Sequence, residues 1–279
     1  MKKLLLHFGF LFSALLFVTS CGDSTSDLVG LPGSTNNPGM PSKVLKKLTT
    51  EEGGTSYDIN YLYSSGKLTS VTSSDNSISY ALEYNGSLIS KITRTVIEGT
   101  NTEVIVSNLT YTGTTLTEVN GSRSEAGVQT NSFKTTFTYA GGLPTQAKTE
   151  MYMPGTTLLL STLTSDLQYA GNNLASWVFK IQVVNSPPVI VPDIIVTTNF
   201  SNYDSNPNPF HTLPLAFTLA NCNFEFETSG PLGISVNNFK NISVTSNAGT
   251  ETETGTYTYD SDGYPTQFNT PSVVLKFQY

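Results

Sequence analysis

A chain of 279 residues with 21 Asp and Glu against 14 Lys and Arg is acidic, and no Lys/Arg cluster occurs beyond Lys43, Lys46 and Lys47. Phosphate backbones require concentrated positive charge, so nucleic acid is excluded as a partner. With one histidine, His211, beyond the N-terminal segment, a zinc site of several histidines is excluded, and His-based catalysis, which needs an oriented His, is disfavoured.

The chain opens Met1-Lys2-Lys3, continues as an apolar run from Leu4 to Val18 and reaches Thr19-Ser20-Cys21. A membrane span needs about 20 apolar residues, so this shorter run with its basic start reads as a signal peptide over residues 1–20. Small residues directly before a cysteine resemble the lipobox of bacterial lipoproteins, in which that cysteine, here Cys21, becomes the lipidated N-terminus. A soluble secretion signal that happens to hold a cysteine is the alternative. Residues 21–42 are rich in Gly, Ser, Asn and Pro with little apolar periodicity, the composition of a flexible tether. About 20 such residues have an r.m.s. reach on the order of 25 Å.

Residues 43–279 contain no second linker and are expected to form one all-β domain. Its signature is a repeat. "LYSSGKLTSV", "EYNGSLISKI", "TYTGTTLTEV", "TYAGGLPTQA" and "QYAGNNLASWV" each carry a Tyr, a Gly two or three residues on and a Leu shortly after. Those tyrosines are Tyr63, Tyr84, Tyr111, Tyr139 and Tyr169, and Tyr259 stands in a sixth copy, "YTYDSDGYPT". A motif recurring at this period is a structural unit. Alternation of Thr/Ser/Asn with bulky apolar residues before each Gly gives strands, and Gly supplies the positive φ of a tight hairpin turn. Six copies predict about 12 strands, with several more between Ala170 and Gly255. No window after Lys47 sustains helical spacing over three turns.

Candidate chemistry is thin. In "NYDSNPNPF" (Asn202–Phe210) Asp204, Asn206 and Asn208 alternate as Ca²⁺ ligands can, although Pro207 and Pro209 stand where a calcium loop needs Gly; the other reading is an Asx-turn loop closing one end of a barrel. Asp260 and Asp262 occupy the turn of the last repeat, read as turn chemistry with calcium as the alternative. His211 reads as an exposed loop histidine. Cys222 alternates with Phe224 and Phe226, which reads as a small buried residue. Among the carboxylate pairs, Glu51 with Glu52, Glu225 with Glu227 and Glu251 with Glu253, the second reads as a solvated stripe, so no catalytic residues are assigned and no cofactor is expected beyond the calcium alternative. Trp177, Tyr203 and Tyr264 are the candidate ligand-binding aromatics, since such rings stack on sugars or peptide side chains, although cross-strand packing claims most tyrosines in a sheet.

"YTYDSDGYPT" resembles a degenerate YD repeat of Rhs-type proteins. From the lipobox through the Tyr-x-Gly-x-Leu hairpins, "NYDSNPNPF", "VNNF" at Val236–Phe239 and the last repeat, the chain is similar to Bacteroidota lipoproteins with a domain of unknown function and a porin-like fold. That resemblance implies a large antiparallel barrel or nearly closed curved sheet and no activity. The expectation is a lipid-anchored outer-membrane protein, soluble apart from its anchor, acting as a non-catalytic binding module for a glycan or an envelope protein. The alternatives are a structural envelope lipoprotein and an integral pore, the last suggested by the terminal alternation Val273, Leu275, Phe277, Tyr279.

Overall fold

The computed structural model describes residues 43–184, 191–223 and 230–279; the signal segment, Cys21 and the tether lie outside the described residues, as do Phe224 to Glu227. Seventeen antiparallel strands form one sheet. They are β1 (Lys47–Glu52), β2 (Thr55–Ser64), β3 (Lys67–Ser73), β4 (Ile78–Asn85), β5 (Leu88–Glu98), β6 (Asn101–Thr112), β7 (Thr115–Glu125), β8 (Val128–Ala140), β9 (Leu143–Tyr152), β10 (Leu159–Ala170), β11 (Asn173–Val183), β12 (Ile194–Ser201), β13 (Asn241–Ser246), β14 (Gly249–Thr254), β15 (Thr256–Tyr259), β16 (Pro265–Asn269) and β17 (Val273–Gln278). Neighbours in sequence pair with each other from β1 to β14 and from β15 to β17, and β1 also pairs with β17 along its whole length, which brings the sheet round into a nearly closed barrel. The remaining opening is at Gly255, where the chain leaves β13 and joins β16. β5 to β11 run 10 to 13 residues, whereas β1 and β17 have 6 each, so one wall stands taller than the other.

The repeat has a physical basis that its tyrosines only partly announce. Each copy is a hairpin with a bulge immediately before its Tyr, at Leu62/Tyr63, Glu83/Tyr84, Thr110/Tyr111, Thr138/Tyr139, Gln168/Tyr169 and Thr258/Tyr259. A bulge leaves one residue unpaired. Here that residue is Thr69, Ser90, Thr117, Thr145 or Thr266, and its hydroxyl donates to the carbonyl of the residue before the Tyr. Ala175 takes this place in the Tyr169 copy and has no hydroxyl to offer. The two-residue loops begin in the left-handed region, as at Gly86 (φ 61°), which Gly enters without steric cost.

Alternation decides which wall faces what. On β8, Phe133, Thr135 and Phe137 are buried and point inward, while Lys134 points outward and pairs with Glu118 of β7. The same outward positions hold Lys91–Glu83 at 2.8 Å, Lys148–Glu150 at 2.7 Å and Lys276–Glu51 at 2.6 Å. A lipid-facing barrel wall needs a continuous apolar band on its outer face. This wall is charged outside and apolar inside, the reverse arrangement.

The described residues between β12 and β13 pack into one end of the barrel. They hold a 3-10 turn (Pro209–Thr212), one short helix α1 (Leu215–Asn221) and a second 3-10 turn (Gly230–Ile234). Phe217 of α1 meets Tyr80 of β4 edge to face at 5.4 Å, and Phe210 meets Phe277 of β17 at 5.9 Å. The interval between Ala170 and Gly255 contributes the expected further strands, β11 to β14, and in addition this two-turn helix, which the sequence reading does not mark. The helix is missed because Phe217 to Asn221 are all buried, so no amphipathic stripe marks it. Cys222 is buried as expected, but at the end of α1 rather than in a strand, and burial pushes its thiol up to about 12, which makes it inert. His211 is a second correction. Its Nδ1 lies 3.0 Å from the Gly233 carbonyl inside this insertion, and burial lowers its pKa.

Candidate functional site at the open end of the barrel

The tyrosine hairpins all turn at one end of the barrel, and their side chains lock it. The hydroxyls of Tyr84, Tyr111, Tyr139, Tyr169, Tyr203 and Tyr279 donate to the carbonyls of Leu68, Ile89, Leu116, Pro144, Leu174 and Pro265. Each acceptor belongs to the preceding hairpin and sits just after its turn. The tyrosines therefore act as rungs between hairpins, which accounts for their recurrence without any ligand.

The three aromatic candidates are engaged in packing. Trp177 is 7% exposed, its indole N–H donates to Ser165 Oγ at 2.9 Å and its ring meets Phe179. Tyr203 is half-buried as one of the rungs, and burial pushes its hydroxyl up to about 12. Tyr264 is 5% exposed, lies edge to face with Tyr279 and has the Lys43 ammonium over its ring at 5.3 Å. Stacking on a sugar needs a free ring face, and in this structure the Trp177 and Tyr264 rings are buried in protein contacts.

The acidic candidates are likewise occupied by the protein itself. Asp260 Oδ1 accepts the N–H groups of Asp262 and Tyr264, so it shapes the turn. Lys43 Nζ lies 2.7 Å from Asp260 and 2.6 Å from Asp262, and this ammonium, together with the backbone donors, lowers the Asp260 pKa. Asp204 Oδ1 accepts from the Asn206 N–H in an Asx turn, and its Oδ2 accepts from the Tyr259 hydroxyl. The carbonyls of Asn206 and Pro207 converge with Asp204 Oδ1 on Asn238 Nδ2, while the Asn208 amide bonds to Phe210, Leu232 and Ser235. Among the described residues no group of three or more His, Cys, Asp or Glu is arranged to hold a metal.

The opposite end differs. Burial on the inner face of the tall wall fades there: on β5, Ile89 and Ile92 are buried, while Arg94 and Val96 further along are only partly covered. Arg94 pairs with Glu103 of β6 at 2.9 Å, and Arg123 of β7 bridges Glu103 and Glu125, a network that staples three strands across the concave surface. Beyond it, the connections β5–β6, β7–β8, β9–β10 and β11–β12 present exposed aliphatic side chains. Ile97, Val128 (68% exposed), Met153, Leu158 (55%), Ile194 and Ile195 stand on four successive hairpins. These exposed aliphatic side chains lie on neighbouring hairpins rather than scattered over the surface. Sequence reasoning passed over it, although "VIEGTNTEV" and "YMPGTTLLL" show the signal: apolar residues flanking the turns that lack the Tyr-Gly motif.

No protein-family model matches this sequence, and no curated protein matches it. Among solved structures, a porin-like protein from Bacteroides vulgatus is similar over 85% of this chain and 98% of its own, at 14% identity and a TM-score of 0.54. A porin-like protein from Bacteroides uniformis covers 84% of this chain and 96% of its own at 16% identity and a TM-score of 0.48. The first likeness shows that the barrel shares a porin-like fold.

Proposed function

We propose that this barrel protein is a cell-envelope lipoprotein, attached to the outer membrane through Cys21 and the 21–42 tether, whose domain is a non-catalytic module that binds another envelope protein at its open rim. The observation that carries this reading is the row of exposed aliphatic side chains on four hairpin tips, set on a barrel whose outer wall is paired charge. The wall supports a domain standing in water, against the pore alternative, and the tether leads from Lys43 at the tyrosine end, so the rim lies at the end remote from the anchor. A protein ligand is favoured over a glycan because Trp177, Tyr203 and Tyr264 turn their faces into the protein, whereas aliphatic tips suit an apolar protein surface. Lipidation of Cys21 is tested by acyl-chain labelling of the full chain, with loss of label in Cys21→Ala expected. Photo-crosslinkers at Val128 and Leu158 are expected to capture one protein saturably and to lose it in Ile194→Asp, whereas a crosslinker at Ser65 captures nothing. Equal capture from both ends, or single-channel conductance of the purified chain in planar bilayers, overturns the reading.

A further inference from the structure

The barrel has one interrupted wall, and the interruption has the features of a strand-binding site. β14 forms its ladder with β13, and among the described residues no ladder occupies its second edge. The cause is Gly255. A Cβ there would lie 2.1 Å from the Phe268 ring and 3.0 Å from the Asn269 carbonyl, so a glycine allows the chain to press onto Phe268 and pass from β13 to β16. The Gly255 N–H donates to the Lys240 carbonyl at 2.7 Å. Since antiparallel pairing alternates, the N–H groups of Glu253 and Glu251 also face β13, and those of Thr250 and Thr252 face the free edge. Beside that edge the wall is low, because β16, β17 and β1 have only 5, 6 and 6 residues. The space is a notch beside an unpaired edge strand.

Among the described residues, the carboxylates beside the notch have no counter-ion. Glu253 Oε1 accepts from Ser272 Oγ of the β16–β17 turn, while its Oε2 is enclosed and has no partner. Glu52, at the end of β1, lies close enough to Glu253 for the two carboxylates to repel, and burial followed by that repulsion raises the Glu52 pKa. Among the described residues no ion pair joins Glu52, Glu251 or Glu253 to a base, although the outward-facing carboxylate next to Glu52, Glu51, has Lys276. An enclosed carboxylate oxygen without a donor is costly, and a cationic donor offsets that cost with a charge-assisted hydrogen bond.

We propose that this notch accepts an extended segment of a partner protein as an added strand on the free edge of β14, with Lys or Arg at alternate positions directed at Glu253 and Glu52. Backbone hydrogen bonds to Thr250 and Thr252 hold the segment, and the two carboxylates select its charge, the usual division of labour in strand addition. Period-two geometry places alternate side chains of such a segment on the side of the glutamates. This site is separate from the aliphatic rim and does not depend on lipid anchoring.

The test is titration of the full chain with capped octapeptides of alternating Lys and Thr, or of alternating Glu and Thr, followed by calorimetry. The Lys-Thr peptide is expected to bind saturably and the Glu-Thr peptide at least about tenfold more weakly, a difference of about 1.4 kcal/mol. Thr252→Pro removes an edge N–H without touching the β13 ladder and is expected to abolish binding, as is N-methylation of the peptide backbone at alternate residues. Glu253→Gln combined with Glu52→Gln is expected to weaken binding roughly tenfold. Leu158→Asp, which disables the rim, leaves it unchanged. No saturable binding, equal binding of both peptides, or binding indifferent to Thr252→Pro and to N-methylation overturns the proposal.

Discussion

The hydroxyl of Tyr139 donates at 2.7 Å to the carbonyl of Leu116, 23 residues earlier in the chain, and so joins two successive tyrosine hairpins. Repeated around the barrel, this bond fixes hairpin against hairpin where neither turn could do so alone. A single such bond contributes about 0.5–1.5 kcal/mol. Tyr139→Phe is therefore expected to lower the melting temperature by about 2–4 °C in a domain of this size. Tyr63 supplies the control. It opens the series, its hydroxyl is enclosed, and that hydroxyl has no partner. Tyr63→Phe is expected to leave the melting temperature unchanged or raise it, because a buried hydroxyl without a partner costs free energy. Equal loss in both variants would show that the rings, not the hydroxyls, set the stability.

Gly121 lies opposite Phe133 in the β7–β8 pairing. A Cβ at this position would stand 2.2 Å from both the Phe133 ring and the Val106 carbonyl. The ring can turn away, but the carbonyl belongs to the β6–β7 ladder and cannot. Gly121→Ala is expected to destabilise the fold by about 1–3 kcal/mol, the range for overpacking, and Phe133→Leu is expected to restore only part of it. Full rescue in the double variant would locate the conflict in the ring alone. Urea denaturation of the three proteins reads the difference directly.

These positions show what a sequence can and cannot carry. The hairpins are legible because Tyr, Gly and Leu recur at a nearly constant interval, and the hydroxyl residue that closes each bulge stands in the same copies, at Thr69, Ser90, Thr117 and Thr145. Closure of the ring is not legible. It depends on β1 meeting β17 and on Lys43 meeting Asp260, 217 residues away, and no local pattern encodes such a contact. Alternation also reads the same for a barrel with a greasy outside and for one with a greasy inside, and contacts such as the outward Lys134–Glu118 pair are what distinguish the two. The packing of the aromatic candidates is illegible for a related reason: Trp177 and Tyr264 are residue types suited to both recognition and packing, and sequence does not show that both are buried.

Glu52 gives the pH dependence a sign. Burial first, and Glu253 second, raise its folded pKa, so the folded state holds the proton more tightly than the unfolded chain does. The stability contributed by the protonated form is complete below the unfolded value, about 4.3, and is lost as pH rises through the folded value. Melting temperatures measured from pH 4 upward are expected to fall across the window just above the ordinary glutamate range. Glu52→Gln removes the titrating group and is expected to flatten that part of the profile. A profile of unchanged shape in the variant would assign the loss to another group.

Trp177 is the one tryptophan of the chain, and its indole N–H begins a buried hydrogen-bond relay between the barrel wall and the insertion that fills it. The indole donates to Ser165 Oγ of β10, Ser165 donates to Asn223 Oδ1 at 2.7 Å, and the Asn223 amide donates to the Ala147 carbonyl and Thr149 Oγ1 of β9. Asn223 follows Cys222, the C-cap of α1, so one amide ties the insertion to two strands. Asn223→Ala removes the acceptor of the Ser165 hydroxyl and a donor to the Ala147 carbonyl, while Thr149 keeps Thr135 and Ser165 keeps Trp177, and an enclosed group left without its bond costs about 1–3 kcal/mol. The variant is expected to be less stable by a few kcal/mol and to show tryptophan emission shifted to the red, as water reaches the indole. Ser165→Ala breaks the same relay at its next link. Because both losses belong to one network, the double variant is expected to cost less than the sum of the singles, and a double-mutant cycle measures that coupling. Strict additivity would mean that the insertion is held by its aromatic contacts and that Asn223 is incidental to its docking.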